Sequence, residues 1–215
     1  MFCSNIVIFC IFVRENRMSE CKIHLEAPGG ERRVLLHACC APCSGAIVEA
    51  LLNQGFEPVI FYSNSNIYPL EEYAHRRDEC EKFARENGVE FVEDEYNHEA
   101  WLSAVGRGRE REPERGARCL ECFRFRLARS ASYAARRGLP VLTTTLASSR
   151  WKNLAQVNEA GLSACGAGGD VSWWDQNWRK GGLQERRGEI IREHGFYNQL
   201  YCGCEFSFRA AETED

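Results

Sequence analysis

The sequence predicts a three-layer α/β domain on a parallel sheet, with an inserted Arg-rich helical segment. Two observations predict it. From residue 33 onward, short apolar runs alternate with stretches of helical period, and strands separated by helices pair in parallel through right-handed crossovers. The 215-residue length also suits one domain with a continuous core.

Taken in order, "RVLLHA" (33–38) reads as a buried strand, "SGAIVEALLNQG" (44–55) as a helix stopped by Gly55, and "EPVIFYSN" (57–64) as a second strand. The segment 69–88 is helical, opened by Pro69 and closed by Gly88, and "VEFVEDEY" (89–96) is a third strand. A mostly helical, Arg-rich stretch then runs to Gly138. "LPVLTTTLA" (139–147) is the fourth strand, and 152–162 and 188–196 are helices before "YCGCEFSF". The domain is expected to span 33–208, with a poorly ordered extension at 1–32 and a tail at 209–215.

The net charge of −4 conceals a division. Between Arg107 and Arg137 lie ten arginines and four glutamates, a local +6 against −10 elsewhere. Such segregation suits an anionic partner, although a solvated, salt-bridged surface has the same composition. The apolar run Ile6–Val13 is far shorter than the roughly 20 residues that span a bilayer and has no signal-peptide flanks. No membrane association and a cytoplasmic location are expected. The first residues read as an upstream extension before Met18, or else a β-like tail, leaving Cys3, Cys10 and Cys21 without a role.

Twelve cysteines in a chain of this size point to metal or redox chemistry more than to a secreted disulfide scaffold. Ligands of open parallel sheets bind beyond the carboxyl ends of the strands. His37–Cys43 follows the first strand and Thr143–Ser149 the fourth, so both should reach that edge. Three thiol groups stand out: Cys39, Cys40 and Cys43; Cys119 and Cys122; Cys202 and Cys204. A Cys-x2-Cys turn puts two thiolates on one metal, and a second pair completes a four-thiolate shell for iron–sulfur or zinc. The long gap between pairs and the surplus thiols favour iron–sulfur over a zinc ribbon. Cys80 and Cys165 read as ordinary buried cysteines.

At about 100° per residue, Phe123, Leu127, Ala131 and Ala134 share one helix face, expected to pack on the core. Cys122, Arg126, Arg129 and Tyr133 share another. That stripe either carries cations and an aromatic ring outward to nucleic acid or is a solvated face. His37 either bonds a thiolate, delivers a proton or simply closes the strand. Trp173, Trp174 and Tyr201 are candidates for base stacking, with core packing the alternative.

Together, "LLHACCAPCSG", "NIYPLEEYAHRRDEC", "EREPERGARCLECFRFRL", "TTTLASSRWK" and "RKGGLQERRGEIIREHGFYNQLYCGCEFS" resemble the QueH family of epoxyqueuosine reductases, over roughly residues 33–208. The resemblance implies a HUP-like, Rossmann-like fold and reduction of epoxyqueuosine to queuosine at the wobble position of tRNA anticodons. It also implies a [4Fe-4S] cluster on Cys39, Cys40, Cys119 and Cys122, and a redox-active pair at Cys202 and Cys204. An additional iron ion would take Cys43 and Asp175. Substrate contacts are expected from Arg126, Arg129, Tyr133, Thr144 and Lys152, and the partners are tRNA carrying epoxyqueuosine and an electron donor. Ser65, Tyr68 and Arg150 depart from the family pattern of Pro, His and Pro. The rival reading is a non-catalytic, zinc-stabilised RNA-binding protein.

Overall fold

The computed structural model describes residues 23–166 and 168–207. Five parallel strands lie in the order β3-β2-β1-β4-β5, with helices between them in sequence. They are β1 Arg33–His37, β2 Glu57–Tyr62, β3 Glu90–Glu93, β4 Val141–Thr144 and β5 Ser172–Trp173. Central β1 is buried from Val34 to His37, and β4 throughout, because helices cover both faces of a parallel sheet. The chain runs outward from β1 through β2 to β3, then returns to place β4 on the other side of β1. The strand order therefore reverses between β1 and β4. Loops leaving these two strands diverge there and open the crevice that ligands use.

The helices are α1 Ala41–Asn53, α2 Leu70–Glu86, α3 His98–Trp101, α4 Ala117–Arg136, α5 Leu154–Cys165 and α6 Leu183–His194. α1 starts at Ala41, ahead of the expected Ser44, because Pro42 is tolerated in the first turn, where no intrahelical N–H bond is due. That moves Cys43 into the helix and leaves Cys40 at its N-cap. α6 also starts early, and ends at Gly195 with φ of 64°. Its Arg186 is held by Glu49 of α1 at 2.6 and 2.9 Å, which ties the two helices together.

Three features differ from expectation. The edge strand β5 has only two residues, too few to show an alternating pattern. A π-turn, Leu102–Gly106, continues α3. Residues before β1 pack on the domain: Leu25 and Ala27 are buried, and the Leu25 N–H donates to Gln54 Oε1 at 2.9 Å. The packed boundary therefore lies ahead of residue 33. Residues 1–22, with Met18, Cys3, Cys10 and Cys21, and the tail at 209–215 lie outside the described residues. Among those described, no helix is long and apolar enough to cross a membrane.

α5 packs closely on β5. A Cβ built on Gly161 would sit 2.2 Å from the Trp173 ring, which is itself buried. Gly161→Val is expected to destabilise the domain by about 2 kcal/mol, since overpacking costs roughly 1 to 3 kcal/mol and recovers only part of glycine's poor helix propensity. A lower urea midpoint would show it; an unchanged midpoint would mean the ring can swing aside.

Candidate active site

The loops leaving β1 and β4 meet through side chains. His37, fully buried at the end of β1, has Nδ1 2.7 Å from Thr144 Oγ1 and Nε2 3.2 Å from the Ser63 carbonyl. A carbonyl only accepts, so Nε2 carries the proton and Thr144 donates to Nδ1. Burial, then the nearby Arg126 charge, push the His37 pKa down to about 3. Both ring nitrogens are occupied within this network, which supports the strand-closing role over contact with a thiolate. Thr144, expected to contact substrate, is buried in this same network.

One residue beyond, the chain turns to the thiols. The Cys39 N–H donates to Thr145 Oγ1 at 3.0 Å, and that hydroxyl donates to Cys39 Sγ at 3.2 Å. Cys39 Sγ lies 3.7 Å from Cys40 Sγ, and Gln199 Nε2 donates to Cys40 Sγ at 2.9 Å. Among the described residues, Cys39, Cys40 and Cys43 gather their sulfurs within 4.8 Å of one another, a group that can hold a metal ion. Hydrogen bonds from Cys40 and Cys43 bring the Cys39 thiol well below its ordinary pKa. Its neighbours rise in exchange, Cys43 to about 11. Asp175 follows β5, is exposed and is not one of the three residues of this group.

α4 brings the second pair. Cys119 sits in its first turn, with Sγ accepting the Arg115 N–H at 3.2 Å. Cys122, one turn further, is buried in a small apolar cluster with Trp101, Val105 and Cys204. Burial pushes both thiols up; the Arg115 N–H opposes this at Cys119 and Arg126 does so at Cys122. The expected core stripe, Phe123, Leu127, Ala131 and Ala134, is buried. The second stripe turns inward at Cys122 and Arg126 and stays partly exposed at Arg129 and Tyr133. Arg126 is 2% exposed and donates from Nε to the Ser63 carbonyl and from Nη2 to Asn64 Oδ1. Arg129 grips Asp94 at 2.5 and 2.8 Å, and Tyr133 stacks on Phe61 at 4.5 Å. The end of β2, the loop beyond it and Asp94 after β3 cover part of this face, which helix periodicity alone does not reveal.

The third pair comes from the C-terminal segment. The Gly203 carbonyl accepts the Tyr68 N–H at 2.9 Å, and Arg76 Nη1 donates to the Cys202 carbonyl at 3.2 Å. Gly203 has φ of 104°, and a Cβ there would meet Arg76 Nη1 at 2.8 Å. Only glycine fits this turn. Lys152 Nζ lies 2.9 Å from Cys202 Sγ. A hydrogen bond from Cys204, followed by the Lys152 charge, holds Cys202 well below the ordinary thiol range despite burial. Every cysteine among the described residues is a free thiol.

Arg126 joins these groups electrostatically, acting on His37, Cys39, Cys122 and Cys202. Arg76, Thr145 and Gln199 were not foreseen; the signal for each was its place inside a motif already holding cysteines or threonines. Trp173 and Trp174 belong to the core instead of a base-stacking site. Trp174 packs on Phe56 and Trp178, and its carbonyl accepts from Thr143 Oγ1.

The family model for "Epoxyqueuosine reductase QueH" matches residues 34–210, the span that holds every one of these thiols. The chain belongs to the QueH family. The QueH protein of Haemophilus influenzae is 45% identical over 185 residues, covering 86% of this chain and 75% of its own length. That of Acinetobacter baylyi is 42% identical over 192 residues, with 89% and 88% covered. That of Thermotoga maritima is 35% identical over 177 residues, with 81% and 89% covered. All three carry the description "Epoxyqueuosine reductase". As a QueH member the chain is an oxidoreductase, which removes the non-catalytic zinc-protein reading.

Proposed function

We propose that this QueH chain reduces epoxyqueuosine to queuosine at the wobble position of tRNA, with thiol-held iron and a dithiol as its redox groups. The observation that carries the reading is the Cys39–Cys40–Cys43 sulfur group beyond β1, with Cys122 of α4 and Cys202 of the C-terminal segment under the charge of the same Arg126. The three gathered sulfurs suit a soft metal, because thiolates select iron–sulfur clusters and zinc over hard cations. In this reading Cys39, Cys40, Cys119 and Cys122 hold a [4Fe-4S] cluster, and Cys43 remains for an additional iron ion. Bound there, the cluster supplies electrons singly, and an iron with an open position acts as a Lewis acid toward oxygen.

The protein's own residues do the rest. Removing the epoxide oxygen takes two electrons and two protons: the two C–O bonds break, a C=C bond forms, and the oxygen leaves as water. Cys202 and Cys204 hold the two electrons and give them up on forming a disulfide; one proton comes from the Cys204 thiol and the other from water. An external two-electron donor then restores the thiols. The His37–Thr144–Ser63 network fixes the end of β1 and so aims Cys39 and Cys40 at the crevice. Arg126 supplies positive charge from beneath. The charged segment from Arg107 to Arg115 and the 78% exposed Trp151 ring offer the anticodon loop phosphate contacts and a stacking face.

Protein purified without oxygen should contain iron and acid-labile sulfide and should convert epoxyqueuosine in tRNA when given a strong reductant. Cys202→Ser and Cys204→Ser are each expected to stop turnover while retaining the iron. Full activity in both would end the dithiol reading, and loss of iron would make them ligands.

A further inference from the structure

Lys152 has an environment that the reductase reading leaves unexplained. Its backbone is fixed on both sides: the N–H donates to the Ser149 carbonyl, and its own carbonyl accepts from Arg179 Nη2 at 2.8 Å. Asn153 next to it caps α5 by accepting from Ala155 and Gln156. The side chain is half-buried, and its Nζ makes no salt bridge with a carboxylate among the described residues. Its near neighbours are Cys202 Sγ at 2.9 Å and the Phe123 ring at 5.8 Å. A lysine held this way, away from carboxylates, is placed against a sulfur.

Cys202 and Cys204 are not equivalent. Cys204 is 8% exposed, packs with Trp101 and Cys122, and lies 3.4 Å from Ser207 Oγ. Cys202 is half-buried and faces the ammonium. The other charged or titratable groups that act on it are Arg126, Cys119 and Cys122 from α4, with Arg76 of α2 on its carbonyl.

We propose that Lys152 is a positioning residue that holds Cys202, and not Cys204, as the thiolate of the pair, making Cys202 the reactive sulfur at neutral pH. The proposal deepens the dithiol relay and rests on that reading for its catalytic meaning. An ammonium at hydrogen-bond distance stabilises a thiolate over a thiol, and the thiolate is the nucleophile. Burial works against the Lys152 charge, yet the Cys202 thiolate outweighs it and keeps the ammonium protonated. The arrangement also fixes which sulfur is poised for exchange with an incoming donor, since the less buried cysteine of the pair is also the one facing the ammonium.

The test is alkylation of the intact, anaerobically purified protein by iodoacetamide from pH 5 to 10, with each cysteine followed by mass spectrometry. In the native protein, Cys202 should react faster than Cys204, with a rate already near its plateau at pH 7. Lys152→Met should move the Cys202 midpoint up toward the ordinary value of about 8.5 and slow the reaction at pH 7 about tenfold. Lys152→Arg should stay within about threefold of native, because it keeps the charge; equal slowing in both variants overturns the proposal. So does an unchanged Cys202 profile in Lys152→Met. If that variant instead binds tRNA more weakly with a flatter salt dependence, Lys152 belongs to a phosphate. The readout needs no turnover, so it stands apart from the Cys202→Ser and Cys204→Ser assays that test the relay.

Discussion

Cys122→Ser protein, prepared without oxygen, is expected to lose its iron, its acid-labile sulfide and its reductase turnover. Cys39→Ser should do the same. The reason is chemical more than structural. Serine is close to isosteric with cysteine, so the 7% exposed Cys122 position and the apolar cluster around it should repack with little change. A hydroxyl, however, is a hard and weakly acidic ligand where iron–sulfur chemistry requires a soft thiolate. The control is Cys80→Ser. Cys80 is fully buried against the core, and burial pushes its pKa far up, as for an inert structural thiol. That variant should keep its iron even if it loses about 1 to 2 kcal/mol of stability. Native iron content in Cys122→Ser would remove α4 from the ligand set.

The second large effect is expected at Arg126. Arg126→Met should lower stability by about 2 to 4 kcal/mol, because Asn64 Oδ1 loses its charged donor in a dry setting and Ser63 keeps only its bond from His37. Turnover should fall at least tenfold, since the charge acting on Cys39, Cys122 and Cys202 disappears. Affinity for tRNA and its salt dependence should nevertheless stay near native, because a side chain 2% exposed cannot neutralise a phosphate. Urea unfolding, turnover and a salt titration of binding separate the three effects. A salt slope reduced by about one unit would show that Arg126 does reach the backbone of the nucleic acid.

The parallel sheet was legible in the sequence because its central strands are continuous apolar runs that end in turn residues. The thiol groups were legible because cysteine spacing is a strong local signal. Less readable were features created by contact between distant segments. Arg126 sits one turn from Cys122, a spacing equally consistent with an outward stripe; only Ser63 and Asn64, some sixty residues earlier, turn it inward. Trp173 and Trp174 looked available for stacking because nothing local marks a two-residue strand, and its pairing with β4 is what buries them. His37 carries three readings in the sequence, and only its contacts with Thr144 and Ser63, on distant segments, favour one of them.

The wide spacing of the thiol groups along the chain bears on how the protein matures. Cys40, Cys119 and Cys202 lie about 80 residues apart, and their meeting depends on β1 pairing with β4 and on the C-terminal segment docking against Arg76 and Tyr68. A chain emerging from the ribosome therefore cannot present all three thiol groups until Cys202 and Cys204 have been made and seated. In small zinc modules metal capture drives folding; under the ligand set proposed above, Cys39 and Cys40 meet Cys119 and Cys122 only after β1 and α4 have packed, so metal capture would follow that packing.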